Sequence, residues 1–239
     1  MLIGRYAEQQ IVATTLSAAR AGQGRVLVIH GTQGVGKSAL LSWAEDQAEG
    51  LHTVHVQGVE TEGQIAFAGL NDVLRPFQRL IGGLPIPQAQ ALRSALGLGE
   101  PSPVDRLAVY SGSLSLLAAA ADESPILLAI DDVGWLDVDS QNALGFAIRR
   151  LEHESIACLL TAGKHETGPL GPARLPSLEL TGLSVEAGIR LLQATTSVPV
   201  PEDVAEILVA ACAGNALFAG PERPAARSRG RGQQCHPLA

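Results

Sequence analysis

Apolar residues along the chain fall into two patterns. Some form short continuous runs, and these alternate with segments in which apolar residues recur at helical spacing. Continuous runs are typical of strands buried on both faces, whereas a recurrence every three or four positions is typical of amphipathic helices. Strands are predicted at residues 25–29, 51–57, 126–130, 156–161 and 177–180.

Helical spacing occupies most of the chain between these strands, and proline and glycine residues interrupt it between positions 82 and 103. Strands that alternate with helices predict an α/β fold. We expect a three-layer α/β/α arrangement around a mainly parallel five-stranded sheet, followed by the start of a helical lid. Helices are predicted at residues 8–21, 65–81, 88–96, 104–121, 137–151, 186–194 and 202–212, and another follows residue 37.

A glycine-rich segment separates the first strand from the next helix. It reads Gly31-Thr32-Gln33-Gly34-Val35-Gly36-Lys37-Ser38 and is followed by Ala39. Glycines in this order let backbone N–H groups surround phosphate oxygens, while Lys37 reaches the β and γ phosphates and the Ser38 hydroxyl coordinates Mg²⁺. This P-loop NTPase pattern predicts that residues 31–39 bind a nucleoside triphosphate. The guanine-reading Asn/Thr-Lys-x-Asp element is absent from the sequence, so ATP with Mg²⁺ is the expected ligand.

An acidic pair, Asp131-Asp132, ends the apolar run at residues 126–130. A hydrophobic strand followed by two carboxylates is the Walker B pattern, which completes a nucleotide site. Asp131 is predicted to hold the magnesium ion, directly or through water, and Asp132 to orient and polarise an attacking water as the catalytic carboxylate. Asp137 is interpreted instead as the N-cap of the following helix.

Composition narrows the classes of function. A net charge of −7 argues against a general surface for nucleic acid. The three cysteines, Cys158, Cys212 and Cys235, have neither disulfide nor metal-site spacing. No apolar run approaches the length of a membrane span, and the N-terminus lacks a signal-peptide pattern, so we expect a cytoplasmic protein with no membrane partner.

Further short segments accompany the P-loop and the acidic pair. They are Leu2-Ile3-Gly4-Arg5 with Glu8, Phe67-Ala68-Gly69-Leu70 with Leu74-Arg75-Pro76, Asp105-Arg106 ahead of Leu116-Leu117-Ala118, Val133-Gly134-Trp135-Leu136-Asp137, Leu178-Glu179-Leu180 with Leu183-Ser184, and Gly214-Asn215. Together these motifs resemble the ATP-binding domain of the large LuxR-type transcriptional regulators, within the STAND branch of AAA-like ATPases. The resemblance covers residues 2 to about 218. It implies that Arg5 contacts the nucleotide and that ATP favours a self-associating state.

Three positions depart from the pattern of that family. Gly163 stands where an arginine is usual just after the fourth strand, with Lys164 next to it, so a γ-phosphate sensor is expected to be missing or displaced. Gly214-Asn215-Ala216 replaces Gly-Asn-Pro in the lid, which removes a fixed backbone dihedral. Gly134 stands where a longer polar residue is usual, and this predicts a site that is open by one side chain.

Three segments are expected: a nucleotide-binding domain at residues 1–180, the start of a helical lid at residues 181–219, and a disordered tail rich in arginine, glycine and proline at residues 220–239. The resemblance stops after Phe218, and we interpret this as a reading frame that was lost or ended there. Because the family places DNA binding in a later domain, no DNA binding is expected of this chain itself.

Two functions fit these observations. In the first, the chain is a Mg-ATP-dependent switch module of a transcription regulator and a candidate ATPase with slow hydrolysis, which Asp132 favours. In the second, it is a non-hydrolysing nucleotide-binding interaction module or a decayed regulator fragment, which Gly163 and the incomplete lid favour. A kinase is less favoured because no acceptor-binding element is visible.

Overall fold

A computed structural model describes residues 2–99, 103–196 and 200–216. Five strands form one sheet in the order β2-β3-β4-β1-β5, and every pairing in it is parallel. The predicted α/β fold is therefore confirmed. The strands are β1 (Arg25–Gly31), β2 (His52–Gln57), β3 (Ile126–Asp131), β4 (Ile156–Gly163) and β5 (Ser177–Leu180). The helices are α1 (Tyr6–Arg20), α2 (Lys37–Asp46), α3 (Ala68–Leu74), α4 (Ile86–Ala95), α5 (Arg106–Glu123), α6 (Val138–Ile148), α7 (Val185–Thr195) and α8 (Glu202–Ala211).

The sheet separates two hydrophobic layers. Successive side chains of a strand point to opposite faces, so Leu27 and Ile29 pack with α1 and α2, whereas Val28 between them packs in the layer formed with α3 to α6. β3 is buried along its whole length, and β4 is buried up to its last residue. Coverage on both faces explains why these central strands read as continuous apolar runs.

The segment after β2 differs from the single helix predicted at residues 65–81. An α-helix covers only Ala68–Leu74, and a 3-10 helix continues from Arg75 to Gly83. Pro76 supplies the physical reason, because it lacks the backbone N–H that an uninterrupted α-helix requires at that position. Phe67, directly before α3, has a φ of 61°, a left-handed conformation that turns the chain into the helix.

Asp137 caps α6, as the sequence predicted, and also holds the start of α3. Its carboxylate accepts hydrogen bonds from the backbone N–H groups of Ser140 at 2.9 Å, Phe67 at 2.8 Å and Gly69 at 3.2 Å. The Ser140 hydroxyl accepts a further bond from the N–H of Leu70 at 2.7 Å. The N-cap residue of α6 and one side chain of its first turn therefore satisfy N–H groups at the start of α3, which have no partner within their own helix.

Replacement of Asp137 by alanine is expected to lower the free energy of unfolding by about 3 kcal/mol or more, since it removes an N-cap and leaves several buried N–H groups without an acceptor. The matched control is Asp139→Ala, because Asp139 lies in the first turn of the same helix and pairs with the exposed Arg106. That control is expected to cost less than about 1 kcal/mol. Urea unfolding followed by circular dichroism measures both, and equal losses would contradict the assigned role of Asp137.

α7 and α8 pack against each other through a small cluster of Ile189, Leu192, Ala205 and Val209. These helices fall in the predicted lid segment, whose boundaries stay a prediction. Residues 217–219 of that segment and the predicted tail at 220–239 lie outside the described residues. On the outer face of α8, Ile207 and Leu208 are exposed.

Two of the cysteines fall within the described residues. Cys158 is buried in β4, and its burial raises the pKa of the thiol to about 12, so it is uncharged at neutral pH and packs as a small apolar side chain. Cys212 is half-buried, while Cys235 lies outside the described residues. Among the helices that the structure describes, none has the length and hydropathy needed to cross a membrane.

Candidate nucleotide-binding site

The carboxyl ends of three neighbouring strands form the candidate site. β4 lies between β1 and β3, so the loop after β1 and the acidic residues at the end of β3 flank the end of β4. Ligands of parallel α/β sheets bind at this end of the strands. A cavity of about 630 Å³ opens here, and it is lined by Gly31, Thr32, Gln33, Lys37, Asp132, Gly134, Trp135, Gly163, Lys164, His165 and Glu166.

The P-loop adopts a conformation that its glycines permit. Gly34 and Gly36 have φ values of 78° and 103°, which side-chain-bearing residues rarely adopt, and α2 begins directly after Gly36. Lys37 is buried, and its ammonium group donates to the carbonyl oxygens of Gly31 at 3.2 Å and Thr32 at 3.1 Å. Lys37, the first residue of α2, lines the cavity, and the N-terminus of a helix favours bound anions.

The carbonyl of Gln33 is held by a residue that is distant in sequence. Asn215, which follows α8, donates through its side-chain amide to this oxygen at 2.9 Å. The departure Gly214-Asn215-Ala216 in the lid therefore still contacts the P-loop through its asparagine. This contact connects the predicted lid segment to the loop that is expected to hold the phosphates.

Thr161, which the motifs in the sequence do not single out, links the two acidic residues at the end of β3. Its hydroxyl donates to Asp131 Oδ1 and accepts a hydrogen bond from the backbone N–H of Asp132 at 2.8 Å. Thr161 is fully buried, and Asp131 is 6% exposed. A hydroxyl residue near the end of an otherwise apolar buried strand was the available signal, because buried polar groups need partners.

Asp132 has a left-handed backbone conformation and a raised pKa. Its φ of 52° is left-handed, and it starts the 3-10 turn Val133–Trp135. Burial and the neighbouring Asp131 carboxylate raise the pKa of Asp132, while the ammonium of Lys37 lowers it. A non-glycine residue in this conformation is costly, and such strain concentrates at functional sites.

The groups expected to hold magnesium are a hydroxyl and a carboxylate, which are oxygen ligands of the kind that Mg²⁺ prefers. Ser38 is exposed in the first turn of α2 and has no hydrogen-bond partner among the described residues. Asp131 uses Oδ1 for Thr161, which leaves Oδ2 for another ligand. Within the described part of the chain, no cluster of three or more His, Cys, Asp or Glu residues could hold a metal ion. The donor set therefore fits an ion shared between protein and nucleotide phosphates.

Arg5, which was expected to contact the nucleotide, lies beside the P-loop with its side chain engaged by the protein. Its guanidinium donates to the carbonyl oxygens of Val35 at 2.9 Å and Thr181 at 2.6 Å, and it pairs with Glu8 at 2.9 Å. The residue is only 5% exposed and does not line the cavity. Arg5 thereby joins the N-terminal element, the P-loop and the segment after β5.

Substitution of Arg5 by alanine is expected to destabilise the protein by about 2–4 kcal/mol, because hydrogen bonds from a charged group are lost and buried carbonyls remain unpaired. Arg20→Ala is the matched control. Arg20 also donates to two carbonyl oxygens, those of Gln47 and Glu49, but it is exposed. Thermal unfolding of both variants measures the difference. A loss no larger than that of Arg20→Ala would show that the Arg5 contacts contribute little.

Gly163 ends β4, and Glu166 in the loop that follows lies against Gly134, so two of the departures from the family pattern meet there. Gly163 brings no side chain, and the Lys164 ammonium pairs with Glu179 at 3.2 Å. The place beside Gly134, which was expected to be open, is taken by the carboxylate of Glu166, since a Cβ on Gly134 would collide with Glu166 Oε2. Sequence reasoning did not single out Glu166, and a carboxylate shortly after a strand gives no signal by itself.

Comparisons with solved structures show the same fold at low sequence identity. The Walker-type ATPase of Pyrococcus abyssi has a TM-score of 0.58 at 15% identity, with 91% of this chain and 65% of that chain covered. A chain of the HORMA:CdnC:Trip13 complex from E. coli MS115-1 has a TM-score of 0.56 at 16% identity, with 94% and 76% covered. This chain therefore spans between about two thirds and three quarters of those chains.

A third structure, the STAND protein with a tetratricopeptide repeat sensor from Pyrococcus horikoshii, has a TM-score of 0.45 at 19% identity, with 85% of this chain and 28% of that chain covered. That TM-score is too low to establish a shared fold. No match to the chain was found among curated proteins. The family model of the AAA ATPase domain matches residues 1–160, a stretch that contains α1, the P-loop, the acidic pair after β3 and most of β4. The chain belongs to the AAA ATPase domain family.

Proposed function

We propose that this chain binds Mg-ATP and hydrolyses it slowly, as the switch domain of a LuxR-type transcriptional regulator. One observation carries the proposal. The buried Lys37 and the half-buried Asp132 line the same cavity at the carboxyl ends of β1 and β3, with Asp131 next to Asp132. A phosphate-binding cation, a magnesium-binding carboxylate and a water-activating carboxylate are thus available in one place.

Each residue has a role that its position supports. The N–H groups of the P-loop and the Lys37 ammonium bind the β and γ phosphates. Ser38 and Asp131 would hold Mg²⁺, which neutralises charge on the phosphate oxygens. Thr161 fixes the Asp131 carboxylate by its hydrogen bond to Oδ1. Asp132 accepts a proton from the attacking water, and its backbone is fixed by its own bond to Thr161.

A second function is supported by the loop after β4. Gly163 has no side chain to contact a γ phosphate, and the ammonium of Lys164 is engaged with Glu179. With the Lys164 ammonium held in this pair, nucleotide could bind without efficient hydrolysis. The chain would then act as a nucleotide-binding interaction module, consistent with a regulator fragment.

The deciding experiment measures binding and turnover in the same preparation. Isothermal titration calorimetry with ATP, ADP and GTP, each with and without Mg²⁺, gives the affinities, and phosphate release at saturating ATP gives kcat. Magnesium-dependent ATP binding with slow release supports the switch ATPase, whereas binding without release supports the interaction module. If ATP does not bind in the presence of Mg²⁺, both functions are excluded.

The regulatory part of the proposal is supported by the motifs that resemble LuxR-type regulators, and it needs its own measurement. Light scattering of the chain with Mg-ATP and with Mg-ADP reports self-association in each state. A larger mass with ATP is expected of a nucleotide-dependent switch. An identical mass in both states would contradict a switch that acts through self-association.

A further inference from the structure

Glu166 brings a second carboxylate, besides Asp132, to the cavity that Lys37 also lines. It lies three residues beyond the last residue of β4 and is half-buried. Its Oε1 accepts a hydrogen bond from the backbone N–H of Gly168 at 2.9 Å, which fixes the side chain. Its Oε2 has no hydrogen-bond or ion-pair partner among the residues that the structure describes.

The free oxygen of Glu166 points to the turn that follows Asp132. Residue 134 is the middle residue of the turn Val133–Trp135, and a Cβ there would occupy the position of Glu166 Oε2. Gly134 has no positive φ that would require glycine. The missing side chain at Gly134 therefore gives the Glu166 carboxylate its place, close to the backbone that presents Asp132.

An ionised carboxylate accepts hydrogen bonds and cannot donate them, so the free oxygen of Glu166 needs a donor. A phosphate group offers it no donor, and none of the side chains that line the cavity donates to Oε2 among the described residues. The Lys37 ammonium already donates to Gly31 and Thr32. A water molecule between the turn and the terminal phosphate is the donor that fits this position.

We propose that Glu166 orients the attacking water of ATP hydrolysis together with Asp132. The inference rests on the proposed ATPase function. The water oxygen forms a bond to the γ phosphorus, and the bond from that phosphorus to the bridging oxygen breaks, with its electron pair leaving on ADP. Asp132 takes one proton of the water, and Glu166 accepts a hydrogen bond from the other O–H group. Glu166 therefore orients the water, and Asp132 acts as the base that takes its proton.

The test separates this role from that of a loop cap. In Glu166→Gln the side-chain carbonyl can still accept the bond from the Gly168 N–H, but the free carboxylate oxygen is lost. Phosphate release at saturating Mg-ATP is expected to fall about tenfold, which is less than the loss of about 100-fold or more for a general base, because Glu166 takes no proton. ATP affinity is expected to change less than about twofold. The control is Glu186→Gln, since Glu186 is exposed in the first turn of α7 and does not line the cavity.

Gly134→Ala tests the same role without changing Glu166. The added methyl group takes the place of Oε2 and displaces the carboxylate, so a similar fall in kcat is expected. In the double variant with Glu166→Gln, the losses are expected to be far from additive, because both substitutions remove one interaction. Thermal unfolding of each variant confirms that the fold is retained.

The outcomes distinguish the inference from the function on which it rests. Unchanged kcat in both single variants would overturn the role of Glu166 and leave the ATPase intact. Losses that multiply in the double variant would show that Gly134 does not act through Glu166, and would also overturn it. If the unaltered chain binds ATP but releases no phosphate, the ATPase proposal fails, and the inference fails with it.

Discussion

Replacement of Lys37 by alanine is expected to weaken Mg-ATP binding by about 30-fold or more, since removal of one partner from a buried charge pair costs about 2–5 kcal/mol. Lys37 is buried at the first position of α2, where its ammonium group donates to the carbonyls of Gly31 and Thr32. When ATP binds, the ammonium group can donate to charged phosphate oxygens in place of these neutral carbonyls, and such charge-assisted hydrogen bonds are stronger. Isothermal titration calorimetry with Mg-ATP measures the loss directly.

Lys164→Ala is the matched control, because Lys164 is the other lysine of the chain and also lines the cavity. Its ammonium pairs with Glu179, and both side chains are about half exposed, so the control is expected to change ATP affinity less than about threefold. Equal losses in the two variants would mean that the charge of the cavity, and not the P-loop position, determines binding. Unaltered affinity in Lys37→Ala would rule out the proposed phosphate site.

The sequence predicted the parts of the site that are contiguous in the chain. Residues 31–39 carry the glycines, the lysine and the hydroxyl in one segment, and Asp131-Asp132 directly follow an apolar run. In such motifs a few neighbouring residues determine both local conformation and chemistry, as the positive φ values of Gly34 and Gly36 illustrate. Helix boundaries were less predictable, and Pro76 marks the place where a predicted helix changes to 3-10 geometry.

Residues that meet only in the folded chain were not predictable from spacing. Thr161 contacts Asp131 because β4 lies beside β3, yet the alternation of strands and helices does not specify that strand order. Arg5 meets Val35 and Thr181, which are separated from it by 30 and 176 positions. Such contacts depend on the topology of the folded chain. The sequence therefore offered only the resemblance to a known family as a basis for the role of Arg5, and gave no sign of its protein partners.

Asp132→Asn is expected to reduce phosphate release at saturating Mg-ATP by about 100-fold or more, since this is the usual loss of rate when a general base is removed. The amide is nearly isosteric and keeps the backbone bond from the Asp132 N–H to Thr161, so the turn should be preserved. Because the amide cannot take a proton, the loss should appear in kcat, while ATP affinity should remain within about threefold. Calorimetry and a phosphate-release assay on the same preparation separate the two quantities.

Two further substitutions make this prediction specific. Asp122→Asn changes the same functional group at an exposed position near the end of α5 and is expected to leave both quantities unchanged. Asp131→Asn is expected to weaken magnesium-dependent binding itself, since Asp131 would lose the charge that attracts Mg²⁺. Equal kcat in Asp132→Asn and the unaltered chain would remove Asp132 from the chemistry. The acidic pair would then serve magnesium and nucleotide binding alone, which is the behaviour of the interaction module.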